Sequence, residues 1–325
     1  MAIKIDTRDK KILSLLDENS RYSSNQIAKK VRLSKPAVIH RIKNLEKKGI
    51  ILNYYAAIEV TKLGYSQYKL YFKFQNATLE DEKKIIDYWI RQNSSVWVAS
   101  TTGKWNLAVS ILSKSNHEFG KTLGKFMETY GNQVLEKEVL LTEYSPIYSR
   151  DYLLPIKSKS FVYGIPEKII ELDDTDKKIL SELSKNARIP IFRLMGKTKL
   201  TRDVIKYRMK KLEKEGILCQ YRCYPNLEKI GIQHYKLTFC TNYLSKEWEK
   251  KLNEYVSQHK KATQMLKLIG SWDIEVEFET ESENELICIM AEMRKEFSRI
   301  IRDYDFIRIT KTHKLNFFPF GSEHT

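Results

Sequence analysis

The first half of this 325-residue chain is written again in its second half. IDTRDKKILSLLDENSRYS, beginning at Ile5, returns as LDDTDKKILSELSKNARIP, beginning at Leu172, an offset of 167 residues. The same offset sets Leu45 on Leu212, Gly49 on Gly216, Tyr54 on Tyr221, Gly64 on Gly231, Gly103 on Gly270 and Trp105 on Trp272 without a gap. Solenoid repeats run roughly 20 to 50 residues, so a period this long points instead to two copies of a unit that holds its own core.

Within the first copy, residues 23 to 49, SSNQIAKKVRLSKPAVIHRIKNLEKKG, have the spacing of two short helices joined by a tight turn. Ser23 or Ser24 can cap the first helix and Ser34 the second. In the second helix Val38, Ile42 and Leu45 form one apolar stripe, and Pro36, His40, Lys43, Asn44 and Lys47 fall on the other side. A capped start, a buried stripe and a cationic outer face are what major-groove reading by a helix-turn-helix requires, although a solvated surface helix shares the pattern. Residues 5 to 17, capped by Asp6 or Thr7, carry Ile12, Leu13, Leu15 and Leu16 on one face. They supply a third helix beneath the pair, whose interior is Ile27, Ala28, Val31 and Leu33. After Gly49, residues 50 to 60 have extended character.

From Gln67 the period changes. YKLYFKF alternates, a helix follows over residues 79 to 92, strands over 96 to 102 and 105 to 112, a helix over 116 to 130 and a strand over 136 to 144. The order βαββαβ predicts a ferredoxin-like sandwich with both helices on one face of the sheet. The other face then needs a second sheet, so self-association through these sheets is expected, within one chain or between two. The chain divides into a helix-turn-helix domain (1–60), a ferredoxin-like domain (61–148), a linker (149–170) with Pro155, Gly164, Pro166 and a lysine-serine stretch, a second helix-turn-helix domain (171–227) and a second ferredoxin-like domain (228–325). The fold class is therefore α+β, a duplicated winged or plain helix-turn-helix unit followed by a sandwich.

The charge is uneven. Of a net +16, residues 1 to 58 hold thirteen basic against five acidic side chains, and residues 169 to 225 hold fourteen against eight. Concentration on the two helical segments points to a polyanion, either a nucleic acid or an anionic membrane surface. No apolar run approaches the roughly 18 residues of a membrane span and the start lacks a signal-peptide core, so no membrane partner and a cytoplasmic location are expected. Cys219, Cys223, Cys240 and Cys288 form no CxxC pair, which disfavours a disulfide framework. Cys219 and Cys223 with His234 are conceivable metal ligands, but reduced structural thiols are expected, with no metal and no cofactor.

These two parts together resemble the Lrp/AsnC, or feast/famine, family of transcription regulators. The resemblance rests on IDTRDKKILSLLDENSRYSSNQIAKKVRLSKPAVIHRIKNLEKKGII and on the turn TTGKWNLAV, where the family usually has Thr-Gly-x-x-Asp. It implies double-stranded DNA as partner and a small, amino-acid-like effector. Family members usually carry one copy, so the tandem departs from the pattern. At the effector turn the family's Asp is Asn106 in copy one and Asp273 in copy two. In the second reading helix Asp203 and Tyr207 replace Pro36 and His40, and a negative charge near that helix start repels phosphate.

The expected DNA contacts in copy one are Ser34 and Lys35 to phosphate, Pro36, Ile39, His40 and Lys43 to base edges, Lys47 on the same outer face, and Arg41 towards the backbone. In copy two they are Arg202, Lys206, Tyr207, Lys210 and Lys214. Thr101, Thr102, Gly103, Asn106, Gly270 and Asp273 are the candidate effector residues, a tight β-turn being the structural alternative for the glycines. A nucleoid-organising protein with weak sequence preference is one competing function. The other is an enzyme, because siroheme decarboxylases resemble this fold and domain order, with activity associated with a basic, histidine-containing strand before a Tyr-Asn or Trp-Asn pair. Trp105-Asn106 fits superficially, but Thr101, Thr102, Gly103 and Leu268, Ile269, Gly270 supply neither cation nor imidazole. No other catalytic constellation is present.

Overall fold

The computed structural model describes residues 3–153, 161–164 and 168–318. Copy one opens with three helices, α1 (Thr7–Glu18), α2 (Ser24–Val31) and α3 (Lys35–Lys47), and a strand, β1 (Ile51–Ile58). Then come β2 (Ser66–Phe74), α4 (Leu79–Arg91), β3 (Ser95–Thr102), β4 (Leu107–Ser113), α5 (Asn116–Tyr130) and β5 (Val134–Ile147). A short strand, β6 (Phe161–Tyr163), precedes copy two. Copy two repeats the series as α6 (Asp174–Lys185), α7 (Ile191–Thr198), α8 (Arg202–Lys214), β7 (Leu218–Pro225), β8 (Gln233–Thr241), α9 (Lys246–Gln258), β9 (Ala262–Ile269), β10 (Ile274–Thr280), α10 (Glu283–Glu296) and β11 (Ile301–Leu315). The 167-residue offset relates the elements almost residue for residue.

Both expected βαββαβ units form, with strand order β5-β2-β4-β3 in one and β11-β8-β10-β9 in the other. They do more than lay one sheet over another. β3 pairs with β11 and β5 with β9, both antiparallel, so the eight strands close on themselves. Closure removes the free edges that two separate sheets would expose. Strand residues alternate in their surroundings. Leu70 and Phe72 lie under α4 and α5 with Ile85, Trp89 and Phe126, whereas Tyr71 packs inside with Trp105, Leu140, Leu266, Leu268, Trp272 and Ile307. The internal pairing of the two copies is thus made inside one chain.

The expected linker is partly built into the fold. Tyr163 and Leu153 are buried, and β6 extends the sheet from β5. Pro155, Pro166 and the lysine-serine stretch lie outside the described residues. Strand 4 begins at Leu107, because Trp105 and Asn106 are part of the turn before it.

Candidate nucleic-acid interface

Each helix-turn-helix is held by caps that the sequence carries. Ser23 and Gln26 make a reciprocal capping box at α2, and Ser34 Oγ accepts from the Ala37 amide at the start of α3. Thr201 does the same for α8, accepting from the Val204 amide. α7 starts after Pro190 with no side-chain cap, but the turn into α8 repeats that of copy one, with Lys199 left-handed at φ +59° as Arg32 is at φ +56°.

On α3, Val38, Ile42 and Leu45 are buried, and Ser34, Lys35, Pro36, His40, Lys43 and Lys47 are exposed on the outside, with Ile39 half-buried. Asn44 Nδ2 donates to His40 Nε2 at 2.9 Å, which orients the imidazole outwards along the helix. On α8, Ile205, Met209 and Leu212 are buried, while Arg202, Asp203, Lys206, Tyr207, Lys210 and Lys214 are exposed. Arg41 departs from the expected backbone contact. Its guanidinium donates to Asp6 at 2.8 Å and Asp9 at 2.7 Å, tying α3 to the start of α1. Arg208 repeats this with Asp173 and Asp176. A guanidinium already neutralised by two carboxylates has little charge left for phosphate.

The two helix-turn-helix units are locked to one another, which sequence reasoning missed. β1 pairs antiparallel with β7, and Tyr55 sits opposite Arg222, its own counterpart at the 167 offset, so the pseudo-twofold axis passes through that pair. Arg21 donates to the carbonyls of Ala187 and Ile189 at 2.7 and 3.2 Å; Arg188 returns the bonds to Ser20 and Tyr22. Lys229 of copy two donates to the Lys48 carbonyl beyond α3 at 2.8 Å, and Lys62 of copy one donates to the Glu215 carbonyl beyond α8 at 2.7 Å. α3 and α8 therefore each have a carbonyl at the C-terminal end met by a cation from the other copy. The pairwise recurrence of Arg and Lys at the offset was the available signal.

The effector candidates form two turns rather than one cleft. Thr101 Oγ1 donates to the Trp105 carbonyl at 2.7 Å, and Asn106 Oδ1 accepts from the Phe74 amide at 2.9 Å. In copy two Asp273 Oδ2 accepts from the Thr241 amide and hydroxyl at 2.6 and 2.8 Å. Asn106 and Asp273 thus clamp the turn to the neighbouring strand. Thr102, Gly103 and Gly270 are exposed. Gly103 has φ +109°, which a side chain would strain, and a Cβ on Gly270 would fall 2.4 Å from Leu140 Cδ2.

Two ionic clusters are buried in the fold. Within the barrel, the counterparts Lys69 and Lys236 meet carboxylates that both come from β10. Lys236 donates to Glu275 at 3.1 Å and to Glu277, and Lys69 lies 3.8 Å from Glu275. Tyr71 and Trp272 also donate to Glu275, at 2.6 and 3.2 Å, and His234 Nε2 lies 3.1 Å from Glu277. Burial disfavours ionisation of both carboxyls, but the Lys236 charge outweighs it, so Glu275 is held below and Glu277 well below the usual range. Burial and then repulsion from Lys236 pull the Lys69 ammonium down to about 8. The second cluster joins α1 to the barrel. Asp17 receives Arg150 at 2.7 Å and Arg222 at 2.6 Å, and Arg150 also forks onto Glu279 at 2.9 and 3.0 Å, where Tyr152 donates too.

Cys219 and Cys223 are free thiols with backbone partners. Cys219 donates to the Gly216 carbonyl and Cys223 to that of Leu13, and burial pushes both thiols up to about 12. No helix among the described residues is long and apolar enough to cross a membrane.

The family described as winged helix-turn-helix DNA-binding matches residues 5–51 and again 172–218. The transcriptional regulator LrpA of Pyrococcus horikoshii is 50% identical over 62 residues, 19% of this chain and 44% of that one, so the match spans under half of LrpA. A proline dehydrogenase transcriptional activator of Rhizobium radiobacter is 30% identical over 109 residues, covering 33% of this chain and 69% of its own length. Among solved structures, the siroheme decarboxylase NirDL superposes with a TM-score of 0.63 at 12% identity, over 97% of this chain and 95% of that one, a likeness of fold.

Proposed function

The chain belongs to the Lrp/AsnC family of transcription regulators, and from that premise we propose that it binds duplex DNA sequence-specifically through α3 and α8, acting as a regulator in the cytoplasm. The observation that carries this reading is the pair of capped helices, each with one stripe buried and an exposed face bearing Lys35, His40, Lys43 and Lys47 or Arg202, Lys206, Lys210 and Lys214. If each copy neutralises roughly four to six phosphates, the log-log slope of affinity against salt is expected to be about −7 to −11. Fluorescence anisotropy over a salt series measures it, and a flat response removes DNA as the partner. Lys43→Ala and His40→Ala are each expected to weaken a specific site by roughly 1 to 3 kcal/mol, with less effect on random duplex. Equal losses on both duplexes would favour the nucleoid-organising alternative.

The proposal includes an amino-acid-like effector at the two turns. In copy two the half-buried carboxylate of Asp273 offers an ammonium a charged partner that Asn106 does not. Asp273→Asn keeps an acceptor for the Thr241 amide, as Asn106 does for Phe74, and removes only the charge. Calorimetry with a panel of amino acids is expected to show binding weakened roughly tenfold or more in this variant. Unchanged binding would leave Asp273 as a turn clamp.

The decarboxylase reading shares the fold, so side chains must separate the two. Thr101, Thr102 and Gly103 carry no acid or base, the exposed Lys104 that follows them lies over the Trp105 ring at 4.9 Å, and in the barrel Lys236 and Lys69 are engaged with Glu275 and Glu277. We therefore propose that the chain is not an enzyme. Mixing the purified protein with siroheme is expected to give no spectral shift, and a shift would reverse this conclusion.

A further inference from the structure

We infer that this chain recognises a non-palindromic operator, two unlike half-sites in inverted orientation, read at once by a single polypeptide. The inference rests on the DNA-binding reading above and specifies which DNA. A symmetric dimer presents the same helix twice, so its operator is palindromic, because operator symmetry mirrors protein symmetry. Here the backbone keeps that symmetry while the reading surface does not.

The symmetry of the scaffold is close. The axis passes through Tyr55 and Arg222, the Arg21 and Arg188 bonds are reciprocal, and Lys229 and Lys62 hold the ends of α3 and α8 in the same way. Tyr54 donates to Glu46 and Tyr221 to Glu213, both at 2.6 Å. Two helices fixed about such an axis meet DNA as an inverted pair.

Their surfaces are only partly alike. Lys35 and Arg202, Lys43 and Lys210, and Lys47 and Lys214 are cations at matching positions, so phosphate anchoring is shared. The positions between them diverge. Pro36, Ile39 and His40 on α3 correspond to Asp203, Lys206 and Tyr207 on α8, and Tyr207 is 67% exposed. A carboxylate can accept from the cytosine amino group and repels phosphate, an ammonium prefers guanine acceptors, and an aromatic ring favours apolar base edges such as the thymine methyl. A proline has no donor, and an imidazole held by Asn44 presents a different pattern. Identical half-sites cannot satisfy both helices.

Selection of bound duplexes from a random library with the full chain tests this. A motif with two different halves, bound roughly 10- to 100-fold more tightly than either half made into a palindrome, is the expected result. A palindromic motif overturns the inference and leaves DNA recognition intact. Absence of salt-dependent binding to any duplex overturns the reading beneath it. The full-chain variant carrying Asp203→Pro, Lys206→Ile and Tyr207→His, checked by thermal melting, should shift preference to a palindrome of the α3 half-site. The reciprocal variant, Pro36→Asp, Ile39→Lys and His40→Tyr, should shift it to a palindrome of the other half-site. If both variants fold and keep the wild-type preference, these positions do not set the difference and the inference fails.

Discussion

Lys236→Met is expected to cost about 3 to 5 kcal/mol of unfolding free energy in urea at pH 7, because it leaves Glu275 and Glu277 buried with Lys69 3.8 Å from the first and His234 3.1 Å from the second. The same change at the counterpart Lys69 should cost far less. Glu275 keeps Lys236, Tyr71 and Trp272 as donors, and removing Lys69 relieves a repulsion between two buried ammonium groups. Equal losses at the two lysines would contradict the asymmetry of the site. The pH dependence separates them further. Lys69 has its folded value lowered to about 8, so between roughly pH 8 and the free-lysine value near 10.4 the unfolded chain binds more protons than the folded one. Lys69 therefore contributes a stability that rises with pH across that window, and Lys69→Met should remove this contribution. Glu275, Glu277 and Asp17 have lowered values, so their stabilisation is present above roughly pH 4.3 and is lost as pH falls. Urea titrations from pH 3 to 10 measure both limbs.

Asp17→Ala is expected to cost a similar 3 to 5 kcal/mol, about as much as breaking any buried ion pair from one side. It strands Arg222, whose remaining described partner is the Tyr148 carbonyl at 3.1 Å, and halves the support of Arg150. Burial opposes ionisation of Asp17, and the Arg222 and Arg150 charges overcome it, so the carboxylate is the keystone of that cluster. The variant should also loosen α1 from the barrel and raise amide exchange in α1 and β7. Across the axis the corresponding positions are Ser184, Tyr55, Phe317 and Leu112, where the Tyr55 and Phe317 rings pack at 5.7 Å with their planes tilted by 33°. Ser184→Ala is thus expected to be nearly silent. A large loss there, or a small one at Asp17, would show that the ionic side is not what holds the helical unit to the barrel.

Much of this architecture is legible in the sequence because its signals are local. Caps at Ser23 and Ser34, the stripe of Val38, Ile42 and Leu45, and the period-two run around Leu70 each act within a few residues. The barrel closure is different. IEVEFET alternates as a strand with one wet face would, and only the pairing of β5 with β9 and β3 with β11 encloses its glutamates. Arg41 looked like a DNA contact since its partners Asp6 and Asp9 lie more than 30 residues away. Asn106 and Asp273 suggested ligand chemistry by resemblance, whereas a turn that must be clamped to its neighbour uses the same side chains.

The placement of the barrel carboxylates has a consequence for how a duplicated gene product stays faithful to itself. The positions of Glu275 and Glu277 are Ala108 and Ser110 in copy one, while both copies keep the lysine. Two first halves brought together would bury a pair of Lys69 side chains with no counter-charge from those positions. Two second halves would confine four carboxylates with two lysines. Only the mixed pair balances two against two, so mispairing in either direction carries the cost of uncompensated buried charge. The two copies thus present a matched pair of different faces, and a chain so built discriminates against cross-assembly between like halves while its own two halves remain partners.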